Sequence, residues 1–181
     1  MPGYGSRSSM EADMTEEDGL RSKAAKELPT ILARIASTDN DVVVVALADL
    51  ALRAGFIDAT SVSCFVADLI SIATDASRPP SHRLLAIMNL EKHARDQIKA
   101  KSAIISALKD PSRDVRRQSV QSLGTWPELT EAELDTIRAL ETDKDFAVRN
   151  WVQIVLRNAQ ARNTIQLTNN PMDRSGGSAT S

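Results

Sequence analysis

Two histidines, one cysteine, two tryptophans and a recurring arginine are the residues through which this chain of 181 could do chemistry. His82 and His93 lie 11 positions apart. On a helix they share a face but stand about 16 Å apart at a rise of about 1.5 Å per residue. That is too far for a shared metal ion, and no histidine–carboxylate metal motif accompanies either, so both are expected on the surface. Cys64 is the single cysteine, which excludes an intramolecular disulfide and a cysteine metal cluster. It falls in an apolar helical segment, where a buried, inert thiol is the expectation. There is no glycine-rich phosphate loop and no convergent set of titratable groups. The sequence therefore points away from an enzyme and calls for no metal and no cofactor. What remains is Arg83, Arg116 and Arg149, spaced 33 residues apart.

Composition narrows the class. Hydrophobic residues make up 42% of the chain and charged ones 25%, enough for one domain with a real core. Aromatics are only 3%, so that core is built from Ala, Leu, Ile and Val. The formal net charge of −2 lacks the basic excess of a nucleic-acid binder. The charge is unevenly placed: residues 1–19 carry Arg7 against Glu11, Asp13, Glu16, Glu17 and Asp18, while the rest is near neutral. The N-terminus has no apolar signal core, and the longest apolar run, residues 42–52, is broken by Asp49 and too short to span a bilayer. A soluble cytoplasmic protein is the expectation.

The elements that must position these residues are helices. Residues 1–19 show no periodicity and read as an acidic flexible arm. The folded domain spans 20–162. Leu20, Ala24, Leu28, Ile31 and Ile35 have helical spacing, and Pro29 should kink or start that helix. Asp39 or Asn40 caps the next one, 41–54, whose four consecutive valines are outweighed by the helical run that follows. Further helices are expected over 60–73, 82–94 with Ser81 as cap, 96–109, 113–123, 131–140 and 146–161. Thr130 with Glu133 forms a capping box before the seventh. From residue 163 to 181 the composition turns to Asn, Thr, Ser and Gly, a flexible polar tail.

Two stretches align in register 33 residues apart: Asp110 falls on Asp143, Val115 on Val148, Arg116 on Arg149 and Leu123 on Leu156. The second helices of four pairs carry anchors at Val42, His82, Val115 and Val148, with gaps of 40, 33 and 33. A fixed period in this range signals stacked helix pairs. The pattern Leu108-Lys-Asp110-Pro followed by Val115-Arg116 and Leu123-Gly124 resembles the HEAT repeat, especially its short bacterial variant called PBS-lyase HEAT-like. The resemblance covers residues 24–160. It is strongest in the last two repeats, lacks the loop acid in the second, and has Val43 in place of the arginine in the first. It implies an all-α fold: an α-solenoid of about four antiparallel helix pairs with disordered termini. The recurring Asp and Arg would form a ladder tying each loop to its neighbour, with a ligand-binding row as the alternative.

The resemblance also implies how such a chain works. Stacked pairs of this kind line a concave side with their second helices. Two and six residues after each anchor stand Val44 and Ala48, Leu84 and Met88, Arg117 and Gln121, Asn150 and Ile154. The second helices of repeats one and two are apolar nearly all round, unlike an ordinary surface helix. The expectation is a non-catalytic protein-binding or scaffold module, with these eight residues as a groove for a partner protein or peptide. A homodimer through the N-terminal repeats is a further possibility, as is cover of the groove by the N-terminal arm or first helix. Two other readings follow from relatives of the repeat. Trp126, Arg149 and Trp151 bring to mind HEAT-like alkylpurine DNA glycosylases, which use tryptophans, an Asp and an Arg on the concave face; the alternative reading is thus a DNA-binding protein or such an enzyme. The name of the repeat variant suggests a subunit of a bilin lyase-type complex.

Overall fold

The computed structural model describes residues 7–169, all of whose regular elements are helical. Eight α-helices follow in order: α1 (Arg7–Ile35), α2 (Asn40–Leu52), α3 (Ala59–Thr74), α4 (Pro80–His93), α5 (Ile98–Ser106), α6 (Arg113–Gly124), α7 (Glu131–Arg138) and α8 (Phe146–Asn169). Single 3₁₀ turns follow α2, α5 and α7, at Ala54–Phe56, Ala107–Lys109 and Ala139–Thr142.

Local chemistry sets the starts. The Asp39 carboxylate accepts from the N–H groups of Asp41 and Val42, at 2.9 and 3.3 Å, and so caps α2. Asp58 does the same for α3 through the Ser61 N–H at 2.9 Å. At α7 the Thr130 hydroxyl and the Glu133 carboxylate satisfy each other's backbone N–H, the reciprocal box expected there. Several bounds differ from expectation. α4 begins at Pro80, not His82: proline's preset φ suits the first helical position, and Ser81 lies inside the helix without capping it. α1 begins at Arg7, so residues 7–19, expected as an arm, are helical. It runs unbroken through Pro29, which is exposed, as is Ala25, whose carbonyl loses a donor there. α8 extends to Asn169, through residues 163–169 that were expected in a tail. The rest of both terminal segments, 1–6 and 170–181, lies outside the described residues.

The helices pair as antiparallel neighbours, α1 with α2, α3 with α4, α5 with α6 and α7 with α8. The second members α2, α4, α6 and α8 pack successively into one continuous layer, with the first members behind them. The register is visible in burial. The six buried residues of α4 (His82, Arg83, Ala86, Ile87, Asn89, Leu90) each lie 33 positions before one of α6 (Val115, Arg116, Ser119, Val120, Ser122, Leu123). In α2, Val43, Ala46, Leu47 and Leu50 lie 40 positions before Arg83, Ala86, Ile87 and Leu90. Each fully buried Val, Leu or Ile in this grid contributes roughly 1.5–3 kcal/mol of transfer free energy. Gly124 closes α6 against α8: a Cβ there would stand 2.7 Å from Cγ2 of Val155, so any larger residue must push that side chain aside.

Candidate functional site

The arginine column occupies the edge where first helices turn into second ones. Arg83 donates through Nε and Nη2 to both carboxylate oxygens of Asp110, at 2.7 and 2.8 Å. Arg116 repeats this on Asp143, at 2.7 and 2.9 Å. Each arginine thus reaches the acid of the following repeat, while its Nη1 donates to carbonyls of its own loop: Arg78 for Arg83, Asp110 and Pro111 for Arg116. The acids fold their turns at the same time, Asp110 accepting the Ser112 N–H and Asp143 the Asp145 N–H. Both side chains of each pair are under a tenth exposed. The bidentate bond from Arg116 holds the Asp143 carboxyl below its ordinary range and raises Arg116 further. These two arginines are a structural ladder.

Repeat two has a loop acid after all. Asp75 accepts the N–H and hydroxyl of Ser77, the same turn as Asp110 with Ser112, but two loop residues more precede the helix, which hid it from a fixed-period alignment. The ladder has no rung between repeats one and two, where Val43 stands in the arginine's place. That joint is built differently. Four side chains of α4 reach across to carbonyls of α2: His82 to Asn40 at 3.0 Å, Asn89 to Leu47 at 2.9 Å, Lys92 to Ala51 at 3.3 Å and His93 to Leu50 at 3.2 Å. The histidines are therefore not surface residues. His82 is fully buried, and His93 is half-buried with its ring edge-on to Phe65 at 5.4 Å. Burial pushes the His93 imidazole below its ordinary value. Their bridging was not signalled by spacing to any acid, because the acceptors are backbone.

The eight groove residues lie on the second-helix layer, and none is buried. Val44, Ala48, Leu84, Met88, Arg117, Gln121 and Ile154 are half-buried and Asn150 is exposed. Two residues missed in the sequence join them: Val45 and Leu52, 49% and 76% exposed, which share a helical stripe with Ala48 on α2. At the C-terminal ends of α2 and α4 the surface dips into a cleft of about 500 Å³, lined by Ala51, Leu52, Gly55, Glu91, Lys92 and Arg95. Glu91 there accepts from Thr125 of the next repeat and pairs with Arg95. Arg117 pairs with Asp114 at 3.3 Å. α1 runs along the other flank of α2, tied by Arg53 to Glu27 at 2.8 Å and by Arg34 to Asp49 at 3.4 Å, and leaves Val45 and Leu52 uncovered.

Other candidates resolve into structure. Cys64 is exposed, not buried: α3 turns Phe65, Val66, Leu69 and Ile72 inward, and Cys64 falls on the opposite side. Trp126 is buried and its carbonyl accepts from Arg162. Trp151 is half-buried against the core. Asp143 is committed to Arg116 and is not available to Arg149 beside the tryptophans. Among the described residues no three His, Cys, Asp or Glu side chains are placed to hold a metal ion, and no helix is long and apolar enough to cross a membrane.

A family model for HEAT repeats matches residues 66–157. No curated protein and no solved structure matches the chain.

Proposed function

Because the chain belongs to the HEAT-repeat family, we propose that it is a non-catalytic binding module that holds a partner protein or peptide on its second-helix layer. The observation that carries the reading is the apolar surface of α2 and α4: Val44, Val45, Ala48, Leu52, Leu84 and Met88 are all left at least partly open to water, while the opposite flanks of both helices are fully buried. Contiguous exposed apolar surface usually marks an interaction site. Arg117, Gln121 and Asn150 continue it as a polar end, with Ile154 beyond. A helix or extended segment fits such a groove, presenting apolar side chains at regular spacing to repeats one and two and polar ones to repeats three and four. A second copy of the chain is the other occupant of the same chemistry. The commitment of Asp110 and Asp143 to the ladder supports a structural rather than a nucleic-acid-reading role for the column.

The test is selection of peptides from a displayed random library on the parent chain, followed by titration against Leu84→Asp with Met88→Asp. Both side chains are half-buried, so the melting temperature of the variant is measured alongside. The expected result is apolar-rich peptides that bind the parent and lose at least about tenfold in affinity on the variant, about 1.4 kcal/mol. Equal binding to both, with the variant folded, would put the site elsewhere. Unfolding of the variant would make these residues ordinary core.

A further inference from the structure

The ladder ends at Arg149 with its two forward bonds unmade. Its Nη1 donates to the Asp143 carbonyl at 2.6 Å, as Arg116 donates to Asp110. In Arg83 and Arg116, Nε and Nη2 clasp the acid of the next repeat. Among the described residues no further repeat follows Arg149, and no acidic side chain takes those two donors. The guanidinium stands 5.8 Å from the ring of Phe146, which is 72% exposed. The last described repeat ends on an exposed aromatic ring and an open carboxylate-binding fork, where a capping repeat would present a polar face.

The surface around them has a definite form. Phe146, Arg149, Gln153, Arg157 and Gln160 recur at three- and four-residue steps, one stripe of α8. Between that stripe and α7 lies a cleft of about 450 Å³, lined opposite α8 by Glu131 and Arg138 of α7 and by Glu141 of the 3₁₀ turn after it. The charges divide by element. α8 carries Arg149, Arg157 and Arg162 and no acid. Of the acids in Glu131–Thr142, Glu133 is taken by Lys101 and Asp135 by Arg138, which leaves Glu131 and Glu141 beside the cleft. A face split into a basic and an acidic half is complementary to itself under a two-fold rotation, the commonest symmetry of protein dimers.

We propose that the C-terminal end of the stack is the contact face of a two-fold homodimer, in which Arg149 of one chain receives the Glu141 carboxylate of the other and the two Phe146 rings are covered. Glu141 is the acid of choice because it is exposed, bonded to no described side chain, and two residues from the loop that orients Arg149. The stripe from Phe146 to Gln160 is about 22 Å long at 1.5 Å per residue, and two helices side by side are about 20 Å wide. That footprint is below the standard interface of about 800 Å² per partner, so the dimer belongs among weak, concentration-dependent associations. It is separate from the groove on α2 and α4 and does not depend on it.

Sedimentation equilibrium of the full chain up to about 1 mM tests it. The expected result is a monomer–dimer equilibrium in the parent. Glu141→Arg, which touches no folded contact, should weaken it at least about tenfold, as like charges then face each other across the contact. Arg149→Glu should do the same, and the two together should restore association to within about threefold of the parent, because the pair is re-formed with its polarity reversed. Leu84→Asp with Met88→Asp should leave it unchanged. A parent that stays monomeric at 1 mM overturns the proposal. So does a dimer indifferent to Glu141→Arg, one dissolved by the groove substitutions, or a charge swap that fails to restore it while circular dichroism shows the fold intact.

Discussion

Replacing Arg116 with alanine tests the ladder most directly. The substitution removes two bonds to the Asp143 carboxylate, at 2.7 and 2.9 Å, and two to the carbonyls of Asp110 and Pro111, at 2.8 and 3.1 Å. Asp143 keeps only the Asp145 N–H, at 2.8 Å, while its side chain is 7% exposed. A charge left nearly buried without its partner costs about 3–5 kcal/mol. The rung sits at the edge of the fold, where water can reach the vacated space, so the lower end of that range applies, about 3 kcal/mol. For a domain of this size each kcal/mol moves the midpoint by about 2–4 °C, giving a fall of about 6–12 °C. Arg149→Ala is the control. It removes one loop bond and one ring contact with no carboxylate stranded, about 1 kcal/mol or less. Calorimetric melts at pH 7 in low and high salt would measure both, with the Arg116 effect retained in high salt because the pair is shielded from solvent ions. Equal shifts for the two variants, or an Arg116→Ala midpoint within about 2 °C of the parent, would refute the argument that the rung is a buried pair.

Two further predictions concern packing and pH. Gly124→Ala should destabilise by about 1–3 kcal/mol although alanine favours helices, because the new methyl meets Val155 at 2.7 Å; Val155→Ala in the same chain should recover part of the loss in urea titrations, and a stabilised single variant would disprove the close approach. Stability should also fall with acid in two stages. His93 has its folded pKa depressed below the ordinary 6.5 by burial, so the unfolded chain binds that proton first and stability present above 6.5 declines as pH drops beneath it. Asp143 is held below the ordinary 3.8 by Arg116, so its contribution persists above 3.8 and is lost as pH falls through its folded value. In urea unfolding from pH 7 to 2, His93→Gln should remove the first stage and Arg116→Ala should shrink the second, to which the lowered Asp75, Glu133 and Asp145 also contribute; a first stage that survives His93→Gln would assign it to another group.

Periodicity made the architecture legible. The 33-residue register of Arg83, Arg116 and Arg149 survives as a column, and the capping box at Thr130 forms as written. What could not be read were bonds to backbone. His82, Asn89 and His93 bind carbonyls of α2, and a carbonyl leaves no trace in a sequence pattern. Asp75 was hidden by a two-residue insertion, since a loop changes length without changing the turn it makes. Helix ends differ from expectation where composition turns polar: Asn and Thr at 163–169 are poor helix formers alone, but a helix already nucleated by packed turns propagates through them. For the groove, the anchor rule placed residues on the outward side of each second helix but passed over Val45 and Leu52, since it sampled only two positions per helix.

The missing rung at Val43 gives the stack unequal joints. From repeat two onward, adjacent repeats are riveted at one rim by guanidinium forks, and repeats two and three are tied at the far rim as well, where Thr125 donates to Glu91. The first joint is pinned instead along the helices themselves, at Asn40, Leu47, Leu50 and Ala51. Those four struts have fixed reach and hold α2 and α4 at a set gauge. The apolar surface shared by α2 and α4 thus rests on a joint held along the length of its helices rather than at one rim.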